Sequence, residues 1–451
     1  MYHPIDEVRS SALTFTDMKA TIRQLVLLIL TWQARIVLVK YKPRVIGITG
    51  NVGKTSTKDA IAAVMASAFQ VRANKKSLNS EFGVPLTILD RPSGWGSAAS
   101  WLLTISKGMA LIIFPYKYPK WLIVEIGVEY PGDMENMVRW LRFDIVVLTA
   151  MGNPPVHTEF FSSPEELYKE KAKIIVGLKK EGLVVANFDD KVIMGMVHCS
   201  NCGVITYGTH KGVGVHAENY QILYRTDEHA SRVPDGMTFK VDYLGKSLPV
   251  HMPGAFGRHN IYVALAAVAV GMSQKINQVE ILNALREAKR PPGRLALLRG
   301  IRGSIIVDDT YNSSPMAAKH AIESLEEIDK RNKIILVLGD MAELGEYTES
   351  AHRKLGEQAA GVADYILTVG ARSIFIDEGA LGVGYNRDSI YHFETSDQAK
   401  KPLENLIETG DIVLIKGSES IRMERIVKEV MAEPERAQDL LVRQEPAWLA
   451  R

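Results

Sequence analysis

The chain has 451 residues, with 54 Lys and Arg against 52 Asp and Glu and a net charge of +2. That balance leaves no electrostatic case for a nucleic-acid partner, and two cysteines exclude a disulfide scaffold and fit a reducing, cytoplasmic compartment. An apolar share of 46% is enough for real cores, and the length predicts two or three domains.

In chain order, Met1–Lys19 is polar and carries Asp6, Glu7 and Asp17, so it does not read as a secretory signal. Residues 1–43 read as a helical lead-in ended by Pro43. Two apolar runs bear on membranes. Leu25–Trp32 is interrupted by Gln33 and Arg35, and Trp101–Tyr116 by Lys107 and Pro115. Both fall short of the roughly 18–20 uninterrupted apolar residues a span needs. Core or docking helices are expected there, and peripheral membrane contact near Trp32, Trp101, Lys107 and Lys117 stays open as a second reading.

Arg44–Ile48 predicts a buried strand, and Ser56–Ala68 a helix with apolar positions at Ile61, Val64, Met65 and Ala68. Between them runs GITGNVGKTS, with Gly50, Asn51, Val52, Gly53, Lys54, Thr55 and Ser56 as the turn and first helical residues. A glycine-rich turn between strand and helix aims backbone N–H groups and the positive helix end at one spot, where a phosphate can sit. Lys54 adds a point charge for the outer phosphates, and the Thr55 hydroxyl is a ligand type for Mg2+. The first glycine of the common G-x-x-x-x-G-K-[ST] pattern is replaced by Ile48, so a tight turn with a solvated lysine is the alternative.

Trp121–Gly127, Phe143–Gly152 and Gly182–Asn187 predict buried parallel strands, 203–253 antiparallel strands, and Ile261–Gly271 an alanine-rich helix. Lys289–Arg294 punctuates the chain. Strands then follow at Ser304–Asp308, Lys333–Leu338, Tyr365–Val369, Ser389–Phe393 and Asp411–Lys416, with helices near Pro315–Ile328 and Glu349–Gly361. The predicted fold class is α/β. A helical N-terminal segment (1–43) leads into a central P-loop NTPase-like parallel-sheet domain (44–292). A C-terminal Rossmann-like α/β domain (293–432) and a loosely attached tail (433–451) follow.

Functional groups in such sheets gather at the carboxyl ends of strands, which singles out Glu125, Asp308, Asp309, Asp340 and Lys416. Glu125 is the expected metal ligand beside the phosphate loop, with a surface ion pair as the alternative. His157 follows another strand end and is equally readable as structural. The C-x-x-C of Cys199 and Cys202, near His198, His210 and His216, invites a zinc reading, but no second pair completes a site and a turn with two free thiols is expected. Lys169, Lys171 and Lys173 read from composition as a solvated helix face.

GITGNVGKTSTK, NSEFGVPLTIL, VEIGVEYPGDM, GRHNIYVALAA, PPGRL, VDDTYNSSP, LGDMAELGE, AHRKLG and VLIKGSES stand in the order found in Mur ligases. The chain resembles that family over about residues 44–430, and within it the members that add D-alanyl-D-alanine to UDP-N-acetylmuramoyl-tripeptide. The resemblance implies a monomeric ligase of peptidoglycan precursor synthesis that uses ATP and two Mg2+ ions to activate a carboxylate as an acyl phosphate. Its substrates are small molecules, a nucleotide-sugar peptide and a dipeptide. By the same resemblance Lys54 binds the phosphates, Thr55 and Glu125 hold one Mg2+, and His157 helps hold the second. Lys171 becomes a carbamylated lysine, with Lys173 the alternative register. Asn260 lies by the adenine, Arg294 by the phosphates and Asp309 by the ribose. Asn79, Tyr311, Asn312, Asp340 and Lys416 face the substrates.

One departure accompanies the resemblance. Such ligases usually carry a sizeable N-terminal domain for the UDP-sugar, whereas here the phosphate loop begins near Gly47. A different carboxylate acceptor, non-UDP or lipid-linked, is therefore the second expectation. A non-catalytic nucleotide-binding scaffold is the third, and a GTPase switch lacks an N-K-x-D motif.

Overall fold

The computed structural model describes residues 15–74, 80–92, 97–152, 158–198, 202–226, 232–328 and 333–449. Short apolar runs between turn residues form its strands. The first sheet contains β1 (Arg44–Thr49), β2 (Val71–Ala73), β3 (Trp121–Glu125), β4 (Phe143–Leu148) and β5 (Leu178–Asn187), then β6 (Gly203–Gly208), β7 (Val215–Thr226), β8 (Arg232–Tyr243) and β9 (Lys246–Pro253). Their order is β2-β3-β1-β4-β5-β6-β7-β8-β9, parallel from β2 to β7 and antiparallel from there on. The antiparallel expectation for 203–253 holds for β7–β9. β6 joins the parallel set instead, because it pairs along its length with the buried β5 and shares only two register pairs with β7.

Successive side chains along these strands point to opposite faces, so the sheet has two cores. On one face Ile46, Ile48 and Ile123 pack with α2 (Lys54–Ala66). On the other, Val45, Leu122 and Val124 pack with helices from α1 (Phe15–Tyr41), α3 (Gly83–Leu89) and α4 (Ala98–Ile113). The loops over the strand ends also carry α5 (Asp133–Val138), α6 (Pro164–Ala172) and α7 (Lys191–His198). The first face is completed by α8 (His259–Ser273) and α9 (Gln278–Glu287).

α1 buries Leu30, Ala34 and Val37 at helical spacing. It runs parallel to α4, with Gln33 Nε2 donating to the Ile105 carbonyl at 2.8 Å and Lys40 Nζ to those of Leu111, Ile112 and Phe114 at 3.0, 2.9 and 2.7 Å. The interruption expected at Gln33 and Arg35 is absent. Both lie within this one helix, and its Thr21–Tyr41 portion is long and apolar enough to cross a membrane by length and composition.

The second sheet contains β10 (Ala296–Arg299), β11 (Ile305–Asp309), β12 (Ile334–Gly339), β13 (Tyr365–Val369), β14 (Ile390–Phe393) and β15 (Ile412–Lys416), in the order β10-β11-β15-β12-β13-β14. All but β10 are parallel. Helices α10 (Pro315–Glu326), α11 (Thr348–Ala360), α12 (Ile374–Gly382), α13 (Ser396–Leu406) and α14 (Glu424–Val430) cover its two faces. The segment expected as a loose tail is anchored. Ala437 and Leu441 are buried, and Arg443 donates to the Thr310 carbonyl at 3.0 Å and pairs with Glu424 at 3.1 Å.

Candidate active site

β1 is an interior strand of its sheet, and the chain turns to opposite sides of it for β3 and β4. A crevice opens at the carboxyl ends of strands where a parallel sheet reverses in this way. The glycine loop sits there. Gly50, at φ 149°, passes so close to Thr149 that a Cβ would lie 2.1 Å from its Oγ1, and Thr149 Oγ1 in turn donates to the Val52 carbonyl at 2.8 Å. Asn51 N donates to Ala150 O at 2.6 Å, and its side-chain amide to the Met151 carbonyl. Gly53, at φ 82°, caps α2 in the left-handed region with no side-chain cap. The first amides of α2, on Lys54, Thr55 and Ser56, therefore retain the anion-binding character of a bare helix start. The helix begins two residues earlier than the apolar spacing suggested, because a glycine cap carries no apolar signal.

Around this loop the structure gathers three cations and one acid. Lys54 Nζ donates to Asn51 O at 3.2 Å, and Lys171 Nζ to Gly50 O, also at 3.2 Å. Thr55 Oγ1 donates to Glu125 Oε2 at 2.8 Å while accepting from Arg294 Nη2 at 3.0 Å. Arg294 lies over the Tyr311 ring, 4.0 Å from its centre, and its Nε has no hydrogen-bond partner among the described residues. Burial lowers the Lys54 pKa, opposed by Glu125 and assisted by Arg294. Burial also holds Lys171 well below the ordinary lysine range, with the Lys54 charge adding to it.

Lys171 is thus not on a solvated face: it is 1% exposed. Its neighbour Lys173 points elsewhere, bonding Glu170 at 2.8 Å and Glu135 at 2.9 Å. Glu125 is buried, not a surface acid, and its N–H donates to Asn74 Oδ1 at 3.0 Å. The hard oxygens of Thr55 and Glu125 are a donor set that suits Mg2+, and the open cap with the unpartnered Arg294 Nε suits a polyphosphate.

The expected C-terminal residues divide into two groups. Lys416, 2% exposed, bonds Asp309 Oδ2 at 2.6 Å and the Asn312 carbonyl at 3.0 Å, and Asp309 Oδ1 accepts from Leu295 N at 3.2 Å. These lie next to Tyr311 and hence to Arg294 and the loop. Asp340 is engaged elsewhere. Its carboxylate accepts the amides of Arg372 at 3.0 Å and Ser373 at 2.8 Å at the start of α12. Asn260 Nδ2 donates to Phe256 O at 2.7 Å, and with Ser56 and Arg294 it lines only a crevice of about 20 Å3. Asn79, His157 and Cys199 lie outside the described residues. Near Cys202, His198 binds the Met194 carbonyl, His210 binds Asp189 and His216 binds the Thr209 carbonyl.

A larger cavity of about 450 Å3 opens on the other side of the loop, lined by Val52 and Gly53, by Asn187 from β5, by His259 and Tyr262 from α8, and by Met316 from α10. Its volume suits a nucleoside. None of its residues beyond the loop was expected. The signal available was NFDD, Asn187–Asp190, at the end of β5, a strand end of the same kind that singled out Glu125. Burial, with His320 and Lys416 nearby, pushes the His259 imidazole down to about 3, so it is neutral.

Two family models match the chain, the Mur ligase middle domain over residues 48–271 and the Mur ligase, glutamate ligase domain over residues 293–419. The chain belongs to the Mur ligase family. Among curated Mur ligases it is 29% identical to the UDP-N-acetylmuramoyl-tripeptide–D-alanyl-D-alanine ligase of Bacillus subtilis (strain 168), covering 87% of this chain and 76% of that one. It is 28% identical to the enzyme of the same name from Escherichia coli (strain K12), over 93% and 81%. Among solved Mur ligases it shares the fold of the MurF ligase of Thermotoga maritima in complex with ADP, with a TM-score of 0.73 and 24% identity over 91% and 84% of the two chains.

Proposed function

We propose that this Mur ligase uses ATP to join D-alanyl-D-alanine to the free carboxylate of UDP-N-acetylmuramoyl-tripeptide, releasing ADP and phosphate. The observation that carries the reading is the run Glu125–Thr55–Arg294–Tyr311, which ties the phosphate loop of the first sheet to the residues after β11. Similarity to ligases of that name along nearly the whole chain supports the substrates.

A carboxylate does not acylate an amine unaided, because its leaving group would be oxide. An acceptor oxygen attacks the γ-phosphorus of ATP, the bond to the β-phosphate oxygen breaks, and an acyl phosphate forms. The dipeptide amine then adds to the acyl carbon and loses a proton, and the tetrahedral adduct expels phosphate. Phosphoryl transfer asks the protein mainly for position and charge neutralisation. In this reading the α2 amides and Lys54 hold the outer phosphates, Arg294 adds charge from the second sheet, and the 450 Å3 cavity takes the nucleoside. Thr55 and Glu125 would hold Mg2+, which when bound neutralises the phosphate oxygens. Asp309, Asn312 and Lys416 form the side over which the second substrate enters.

Lys171 fits a carbamate. A buried ammonium beside Lys54 is repelled, whereas the neutral amine can add to CO2, release a proton and become an anion with two oxygens toward the loop. That anion would sit opposite Lys54 and near the Mg2+ ligands. The deciding experiment is phosphate release with ATP, Mg2+ and D-alanyl-D-alanine, with and without the UDP-linked tripeptide, and mass spectrometry of the product. Tripeptide-dependent release with pentapeptide formed is the expected result. Turnover only with another carboxylate would move the acceptor, and no turnover with any acceptor would remove the enzyme reading.

A further inference from the structure

The outer faces of α1 and α4 are apolar and uncovered. Among the described residues 21 large hydrophobic side chains are exposed, and ten of them fall within residues 22–39 and 102–116. On α1, Leu25, Leu28 and Trp32 follow one helical face at 56%, 68% and 51% exposure. On α4 and just after it, Leu102, Ile113 and Phe114 are 70%, 63% and 63% exposed. The two helices run side by side and in the same direction, as the bonds from Gln33 and Lys40 require, so these faces adjoin. An apolar surface of this extent marks an interaction site.

Its charge says what kind. Residues 21–43 carry Arg23, Arg35, Lys40 and Lys42, and residues 97–120 carry Lys107, Lys117 and Lys120. Neither segment has one acid, in a chain whose charges are otherwise nearly balanced. The acids at the rim are paired, Glu81 with Arg23 and Asp90 with Arg72, both at 3.5 Å. Apolar and aromatic side chains on two segments whose own charges are all cationic match the surface of an anionic bilayer.

We propose that the α1–α4 face docks on an anionic lipid bilayer, with both helices lying in the interface. α1 does not span in this arrangement. Its inner face is committed to the core through Leu30, Ala34 and Val37, all at 0% exposure, and its Gln33 and Lys40 are bonded to α4. A second copy of the chain fits less well, since a two-fold contact would bring the cations of these segments against one another. The face lies opposite the α2–α8 side of the first sheet, so docking leaves the nucleotide cavity clear.

Vesicle co-sedimentation of the full chain tests this. Vesicles of equal parts phosphatidylcholine and phosphatidylglycerol should pellet the protein, and phosphatidylcholine alone should not. Raising salt from about 0.1 M to about 0.5 M should release it. Leu28→Glu with Leu102→Glu, and separately Lys107→Glu with Lys117→Glu, should each weaken binding at least tenfold. All four positions are exposed, so the melting temperature should stay at the wild-type value. No pelleting on either vesicle, pelleting indifferent to lipid charge, salt or these substitutions, or a lipid-free dimer that Leu28→Glu with Leu102→Glu dissociates, would each overturn the proposal.

Discussion

Lys54 and Lys171 put two amines against adjacent carbonyls of one loop, a costly arrangement unless anions arrive. Lys54→Ala should therefore lower kcat by roughly 10^3-fold or more, the scale of losing a transition-state charge partner, with the melting temperature kept. Near-normal turnover would mean the loop is not the ATP site. Lys171→Ala should be as poorly active, yet partly restored by formate or acetate, which can bring back the missing oxygens. Full activity without rescue would rule out the carbamate. Both residues show what single positions reveal in a sequence. Lys54 carries a motif and is legible. Lys171 stands among three lysines at the end of α6, and composition does not separate the one turned toward the loop from Lys173, which pairs with Glu135 and Glu170. Asp308 makes a residue-scale prediction of another kind. Burial raises its carboxyl from 3.8 to about 7, and Thr310 Oγ1 donates to it at 2.6 Å. Between those values the folded chain holds a proton that the unfolded chain has lost, so its contribution is complete below 3.8 and is lost as pH rises through about 7. Asp308→Asn should flatten that stretch of the stability profile, removing a pH-dependent term on the order of 4 kcal/mol. Denaturant midpoints at intervals across that range would measure it, and an unchanged slope would count against a buried neutral Asp308.

Elements were legible where their signal is local. The apolar runs of β1, β3, β4 and β5 and the alternating strands and helices after Arg294 were readable because a buried parallel strand is apolar along its length. Where an element's reason lies in a distant partner, the sequence is silent. α11 and α12 cross with their backbones in contact: a Cβ on Gly356 would lie 1.9 Å from the Ile376 carbonyl oxygen, and one on Gly379 2.0 Å from that of Arg353. Neither glycine announces this, since each sits inside a helix, where glycine is otherwise a liability. Gly379→Ala should therefore destabilise by roughly 1–3 kcal/mol, although alanine is the better helix former. A melting temperature at or above wild type would show that the helices can move apart freely. The same blindness hid the 450 Å3 cavity: Tyr262 reads as part of an alanine-rich helix and His259 as lying just before it, and only the position of α8 beside β5 and α10 makes them a wall.

At the scale of the molecule, the site is assembled from two sheets whose cores are largely separate. The two cores of the first sheet are built from its own side, and Val233 and Phe256 are the buried residues from that side that join the core on one face of the second sheet. The seam near the loop is polar, carried by Arg294 to Thr55 and by Arg258 to Glu327. Such a seam is weak without a ligand, because a partly exposed ion pair contributes about 0–1 kcal/mol and a single hydrogen bond from a charged group about 1.5–3 kcal/mol. Heating the nucleotide-free protein should then give two calorimetric transitions. The 450 Å3 cavity that the proposed function assigns to the nucleoside, however, is lined from both sides, by Val52 and Tyr262 on one and Met316 and His320 on the other. A ligand bound there stabilises any unfolding step that breaks the cavity, by about 2.7 kcal/mol when present at 100 times its Kd. ADP with Mg2+ should consequently raise both transitions and draw them together, whereas a ligand held by the loop alone would raise only one. Lys54→Ala should keep the two transitions of the free protein and lose the shift. If nucleotide moves a single transition in the wild type, the second sheet takes no part in holding it, and Met316 and His320 are bystanders to the site.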